Sequence, residues 1–199
     1  MWEERYSKSD GYVFGTDPAQ FLVEHSAYLT AGHTALSVAD GEGRNSVYMA
    51  EKGMDVTAYE FAPTAIARAR DLATERGVSV DFREVDILNH DWPEGAFDLV
   101  AGIFIQFVGP EARKIQFEGM KRSLKPGGVL LLHGYTPEQL EFGTGGPPFA
   151  ENMYTEDQLA DDFDGWEILE NRAYEREVQE GRGHQGMSAL IDFVARKPG

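Results

Sequence analysis

Between residues 35 and 133, short apolar runs keep giving way to stretches of helical periodicity. The pattern predicts strands at 35–39, 55–60, 78–85, 97–104 and 129–133, alternating with helices at 44–52, 63–76 and 110–124. Pro63 and Pro110 each suit a first helical turn, and Gly53 and Gly77 stand just past helix ends. The run from Phe97 to Phe104 is apolar almost throughout, as a strand buried on both faces must be. Spacings this short demand parallel strands with right-handed crossovers. The predicted fold class is therefore α/β, a doubly wound sheet. Ligands of such sheets bind beyond the carboxyl ends of the strands. Those ends are Ala39 to Gly43, Glu60, Asp86, Ile105 to Phe107, and His133 to Tyr135.

The flanks add three expectations. Trp2, Tyr6, Tyr12 and Phe14 crowd aromatic area into a terminus, which predicts that residues 1–16 dock on the core and cover the site as a lid. Residues 18–30 read as a helix, with Asp17 as its cap and His25 packed or on the surface. After the fifth strand, 143–148 holds three glycines and two prolines and predicts an irregular loop near the site. Thr155-Glu156-Asp157-Gln158 reads as a capping box opening a short helix. Strands at 166–177 and 188–197, joined by 179–186, are too close for a crossover and predict an antiparallel pair at one sheet edge. No repeat interrupts the chain, so residues 1–199 are expected to act as one domain.

Charge and composition narrow the partners. With 34 acidic and 18 basic residues the formal net charge is −16, which disfavours nucleic acid and anionic membrane as partners. There is no cysteine, and the five histidines (25, 33, 90, 133 and 184) show no ligand spacing, so no metal is expected. The polar, acidic start does not read as a secretory signal, and no apolar run reaches bilayer length. The expected location is cytoplasmic. The expected partner is a small molecule, with the protein a monomer or weak homo-oligomer.

The first strand ends in Gly41-Glu42-Gly43-Arg44-Asn45-Ser46. Small residues there let a ligand approach the backbone, and the following helix start offers free N–H groups. The string is a weak dinucleotide fingerprint, with serine at the third glycine position and Glu42 where a pyrophosphate would lie. No Gly-Lys-Ser/Thr ending marks a phosphate loop. A nucleoside carrying a cationic group fits this loop better than one carrying phosphates.

At this point the chain resembles the class I S-adenosylmethionine-dependent methyltransferases, along essentially its whole length. Ser37, Ala39, Gly41 and Gly43 occupy the places of that family's first motif, an acid followed by three glycines. Glu60 stands where the family binds both ribose hydroxyls, and Phe61 where an apolar residue packs on adenine. Asp86-Ile87 matches the pair at the adenine edge. Leu124-Lys125-Pro126-Gly127-Gly128-Val129-Leu130-Leu131 matches the turn into the fifth strand, and the terminal pair matches the family's final hairpin. The resemblance implies a seven-stranded Rossmann-like sheet, S-adenosyl-L-methionine as cofactor, and no metal. It implies cofactor contacts from Ala39, Asp40, Gly41, Gly43, Arg44 and Asn45, from Glu60, Phe61, Asp86 and Ile87, and from Ile105 and Gln106.

Trp2, Arg5 and Tyr6, then Tyr12 and Phe14, look like the tellurite-resistance and thiopurine methyltransferase-like subgroup, whose N-terminal segment closes over the cofactor. Trp2, Arg5, Tyr6 and Phe14 are expected cofactor contacts on that basis. The implied reaction is in-line methyl transfer to a thiol, a chalcogen oxyanion or another small nucleophile. The acceptor pocket would be roofed by the N-terminal aromatics and the 142–150 loop. His133 and Tyr135 are the candidate bases, and Gln106 is a candidate for orienting the acceptor. The rival readings are a nicotinamide-dependent oxidoreductase on the same sheet and a non-catalytic S-adenosylmethionine-binding module.

Overall fold

The computed structural model describes residues 2–181 and 184–199. Seven strands make one sheet: β1 (Thr34–Val38), β2 (Asp55–Glu60), β3 (Asp81–Glu84), β4 (Phe97–Ile103), β5 (Leu124–Tyr135), β6 (Glu167–Glu180) and β7 (His184–Arg196). Among the described residues seven helices accompany them: α1 (Trp2–Ser7), α2 (Gln20–Glu24), α3 (Arg44–Glu51), α4 (Pro63–Arg76), α5 (Pro110–Ser123), α6 (Gln139–Phe142) and α7 (Glu156–Asp162). The strand order is β3-β2-β1-β4-β5-β7-β6. β1 to β5 run parallel, and β7 enters antiparallel between β5 and β6.

Alternate residues of the central strands face opposite ways, so each strand feeds two cores. Ala35, Leu99, Ala101 and Leu131 pack with Phe21 and Met49 on the α2–α3 side. Leu36, Val100, Leu130 and Leu132 pack with Phe117, Met120 and Phe163 on the α5–α7 side. Both faces are thereby covered, as a parallel sheet requires.

Several expected boundaries shift for identifiable reasons. The helix expected over 18–30 splits into α2 and a 3₁₀ turn at Ser26–Tyr28. Its cap position is Ala19, not Asp17, and the Ala19 N–H donates to Asn45 Oδ1 at 2.9 Å. β3 is shorter than expected. Between β3 and β4 the chain makes no helix: Asp86 turns it back by accepting from the Leu88 N–H. β5 absorbs the Lys125–Gly128 turn as a register shift, in which Phe97 faces Leu124 and Leu99 faces Val129. β6 and β7 extend into the expected link, pairing as far as Glu180 with His184. The capping box is half formed. Thr155 accepts from the Gln158 N–H at 3.2 Å, but the Gln158 side chain turns to Asp162.

Candidate active site

A cavity of about 710 Å³ opens at the carboxyl ends of β1, β2, β4 and β5. Backbone conformation shapes its floor. Ala39, Gly41 and Gly43 adopt left-handed φ values of 49, 66 and 91, reversing the chain between β1 and α3. Glycine takes this region at no steric cost, whereas alanine pays about 1–2 kcal/mol. Phe104, just past β4, is the other described non-glycine residue with positive φ, at 57. Both strained residues line the cavity, the usual location for stored strain.

Buried carboxylates fix the loop. Asp40 accepts from Ser37 Oγ at 2.6 Å, from Ser46 Oγ at 2.5 Å and from the Ser46 N–H at 3.2 Å. Burial pushes its pKa up against these donors. Glu60 accepts from the Phe61 and Ala62 N–H groups on Oε1 and from the Gly41 N–H on Oε2, each at 2.8 Å. Its pKa is also raised, first by burial, with Asp40 adding repulsion. A carboxylate has about four acceptor positions, two per oxygen. Oε1 is therefore saturated, and one position remains on Oε2.

Glu42 is a strap. Its carboxylate accepts from Arg68 Nη1 and from the Val13 N–H, both at 2.7 Å. Its charge is answered by Arg68, so the reading of Glu42 as a bare repeller of pyrophosphate is corrected. The strap holds the N-terminal segment, whose Trp2, Tyr6, Val13 and Phe14 pack on Ala62 and Ala65. Glu3 adds bonds from the Thr64 N–H and hydroxyl at the start of α4. Gly15 fits against Gly181 beyond the tip of β6, where a side chain on Gly181 would strike the Phe14 backbone. Trp2, Arg5, Tyr6 and Phe14 all line the cavity, with the Arg5 guanidinium 5.1 Å from the Trp2 and Phe14 rings.

Residues 35–128 match the family described as a methyltransferase domain. Demethylmenaquinone methyltransferase of Thermus thermophilus is 36% identical over 104 residues, which are 51% of this chain and 47% of that protein. Over residues 35–128, just under half of the chain, the sequence is that of a methyltransferase domain. The chain spans about half the length of the curated relatives it matches. Two solved structures share the fold. One, described as the conversion of a disulfide bond into a thioacetal group during echinomycin biosynthesis, is 21% identical and covers 99% of this chain and 91% of its own, with a TM-score of 0.77. The other, TehB from Haemophilus influenzae, is 22% identical and covers 88% of this chain and 61% of its own, with a TM-score of 0.70. The cofactor implied by this domain and fold is S-adenosylmethionine. An antiparallel β7 between β5 and β6 also departs from the parallel dinucleotide order of a nicotinamide enzyme.

The methyltransferase reading places most of the expected residues on the cavity wall: Ala39, Asp40, Gly41, Arg44 and Asn45, then Glu60, Phe61, Asp86 and Ile87. Ser37 lacks the acid of the family's first motif. Asp40 supplies a carboxylate three residues later, bonded back to Ser37. Gly43 faces α4 instead of the cavity: a Cβ there would stand 2.8 Å from Ala69 Cβ. Ile105 is fully buried in the α5 core and does not line the cavity, whereas its neighbours Ile103 and Phe104 do. Arg44 is tied to Glu180 at 2.9 Å.

The three candidates for chemistry are revised. His133 is 1% exposed and does not line the cavity. Asp192, opposite it on β7, holds its Nδ1 at 2.7 Å, and Phe21 covers its ring. Gln106 borders the cavity, but its amide is engaged by the Tyr135 backbone, donating to the carbonyl at 2.8 Å and accepting from the N–H at 2.6 Å. It clamps β5 to the loop after β4. Tyr135 does line the cavity. Burial, with the Glu180 charge beside it, drives its hydroxyl pKa upward, so it stays protonated near neutral pH. Of the 142–150 loop, residues 145–149 line the cavity. Asn152 and Phe104 were missed. Asn152 carries no local pattern, and only tertiary packing brings it to the wall.

Proposed function

We propose that this chain methylates a small apolar thiol, using S-adenosylmethionine, and that the whole chain works as one unit with residues 1–16 as its lid. One observation carries the reading. The cavity wall holds four carboxylates at the β1–β3 end and aromatic rings elsewhere, and among the described residues no histidine, lysine or cysteine lines it. Glu60 Oε2 and Asp86 suit the nucleoside's hydroxyls and amine, Phe61 suits its ring, and the turn into α3 suits the carboxylate of the methionine portion. The spare position on Glu60 matches one ribose hydroxyl, not two.

The cofactor supplies a methyl group already activated on a sulfonium. The chain's part is to hold the acceptor in line and to exclude water. A thiol fits such a wall because it loses its proton to solvent near neutral pH without a protein base. With the cofactor bound, the thiolate sulfur would take the methyl group and the cofactor's sulfur would keep the bonding electron pair. A chalcogen oxyanion fits poorly beside Asp40, Glu60 and Asp86, and among the described residues the wall offers an amine or alcohol no histidine or lysine as a base. Incubation with methyl-labelled S-adenosylmethionine and a panel of thiols, phenols, amines and chalcogen oxyanions tests this. Thiols should carry the label first. Faster labelling of amines or oxyanions, or no cofactor binding at millimolar concentration, would overturn it.

A further inference from the structure

We propose that Asn152 is the polar anchor of an acceptor subsite, and that it selects acceptors carrying an uncharged hydrogen-bonding group. The inference deepens the thiol reading above and rests on it for the reactive atom. The subsite lies where the ends of β4 and β5 border the cavity, among Phe104, Phe107, Tyr135 and Phe149, which line it with Asn152.

Almost every polar group here is committed. The Gln106 amide is held by the Tyr135 backbone. The Tyr135 carbonyl also accepts from the Tyr154 N–H at 3.1 Å. Asn152 differs. It is 8% exposed, it lines the cavity, and its side-chain amide has no hydrogen-bond partner among the described residues. An amide that opens onto the cavity with its donor and acceptor positions untaken by protein is free to pair with a ligand group.

The amide is also rigidly carried. Asn152 sits in a 3₁₀ turn, Ala150–Asn152, closed by its own N–H donating to the Phe149 carbonyl at 3.1 Å. Arg113 of α5 grips the turn by donating to the Glu151 carbonyl at 2.7 Å. The amide lies beside Gly109, just before α5, where a Cβ would stand at an ordinary contact distance of 3.8 Å from Asn152 Oδ1. Preorganised polar groups in an otherwise apolar pocket fix the orientation of a ligand. A carboxamide both donates and accepts, so it suits a hydroxyl, carbonyl or carboxamide. The surrounding rings suit a flat body. The acceptor class is therefore a flat apolar thiol bearing one such group.

The test is calorimetry with thiophenol and 4-hydroxythiophenol, on the free protein and on the protein loaded with S-adenosylhomocysteine. The parent protein should bind the hydroxylated probe about tenfold or more tightly than thiophenol, a preference that sites built to pair a hydroxyl display. In Asn152→Ala that ratio should fall close to one, and likewise in Asn152→Leu, which keeps the volume. A thermal melt of each variant reports whether it folds. Equal affinities in the parent protein, or a ratio unchanged in a folded variant, would overturn the subsite. If the ratio behaves as expected but neither probe is methylated, the subsite stands and the thiol reading fails. If S-adenosylhomocysteine does not bind, the cofactor reading fails, and titration of the free protein still decides the subsite.

Discussion

Glu60 shows how one side chain is asked to do two things. Two of its three backbone donors bend the chain into α4, and the third, from Gly41, ties β2 to the loop after β1. Only the remaining position on Oε2 can take a ribose hydroxyl. Burial raises the Glu60 pKa, so the unliganded fold gains from its protonation. That gain is full below the ordinary glutamate value and is lost as pH rises through the raised one. Cofactor binding has the opposite sign, because the hydroxyl needs an ionised acceptor. S-adenosylmethionine affinity should therefore weaken as pH falls through the raised pKa. Glu60→Gln should lose about 1–3 kcal/mol of affinity and most of that pH dependence. Calorimetry between about pH 5 and 8 checks both, and a pH slope unchanged in the variant would remove Glu60 from the site. The sequence marked Glu60, Asp86 and the lid aromatics because residue type and strand-end position coincide there. It misjudged His133, Gln106 and Glu42 because their partners Asp192, Tyr135 and Arg68 are remote in the chain. Asn152 was invisible for the same reason.

At the scale of elements, α3 and α4 meet at Gly43, and the lid lies across α4. Gly43→Ala would place Cβ 2.8 Å from Ala69 Cβ and 2.9 Å from its Cα, in a left-handed conformation. Strain and overpacking together should cost about 2–4 kcal/mol, read as a lower urea midpoint with an unchanged slope. The lid should behave differently. It is fastened by side-chain bonds from Glu3, Glu42 and Arg68 and adds no strand to the sheet. Removing residues 1–15 should leave the sheet's circular dichroism intact and reduce turnover on the order of a hundredfold through lost positioning. Full turnover in the truncated protein would rule the lid out. Elements with a strong period, such as β2, α4 and α5, were legible to within a residue. The short α2 was not, since the Asn45 side chain takes the Ala19 N–H and overrides periodicity there.

The whole molecule was legible mainly as topology. Short spacings enforced the parallel order of β1 to β5, and the close final pair required an antiparallel edge. What the chain's acidity does to a ligand depends on where the acids lie, and that emerged only from the fold. The net charge is −16, and Asp40, Glu42, Glu60 and Asp86 stand on the cavity wall with Arg5 and Arg44. Arg44 is neutralised by Glu180, and Glu42 by Arg68. The field reaching the cavity mouth is therefore negative. S-adenosylmethionine carries a sulfonium and an ammonium against one carboxylate, whereas S-adenosylhomocysteine has no sulfonium and is neutral overall. An acidic protein should draw in the cation and leave the neutral product indifferent, and salt should screen the first effect. Raising ionic strength from about 0.01 to 0.5 M, which shortens the screening length several-fold, should thus weaken S-adenosylmethionine binding several-fold through its association rate. S-adenosylhomocysteine binding should change far less. Stopped-flow measurement of both ligands on the tryptophan signal decides the matter. Equal salt dependence for the two would mean that local pairing, not the net field, sets the charge preference of the cavity.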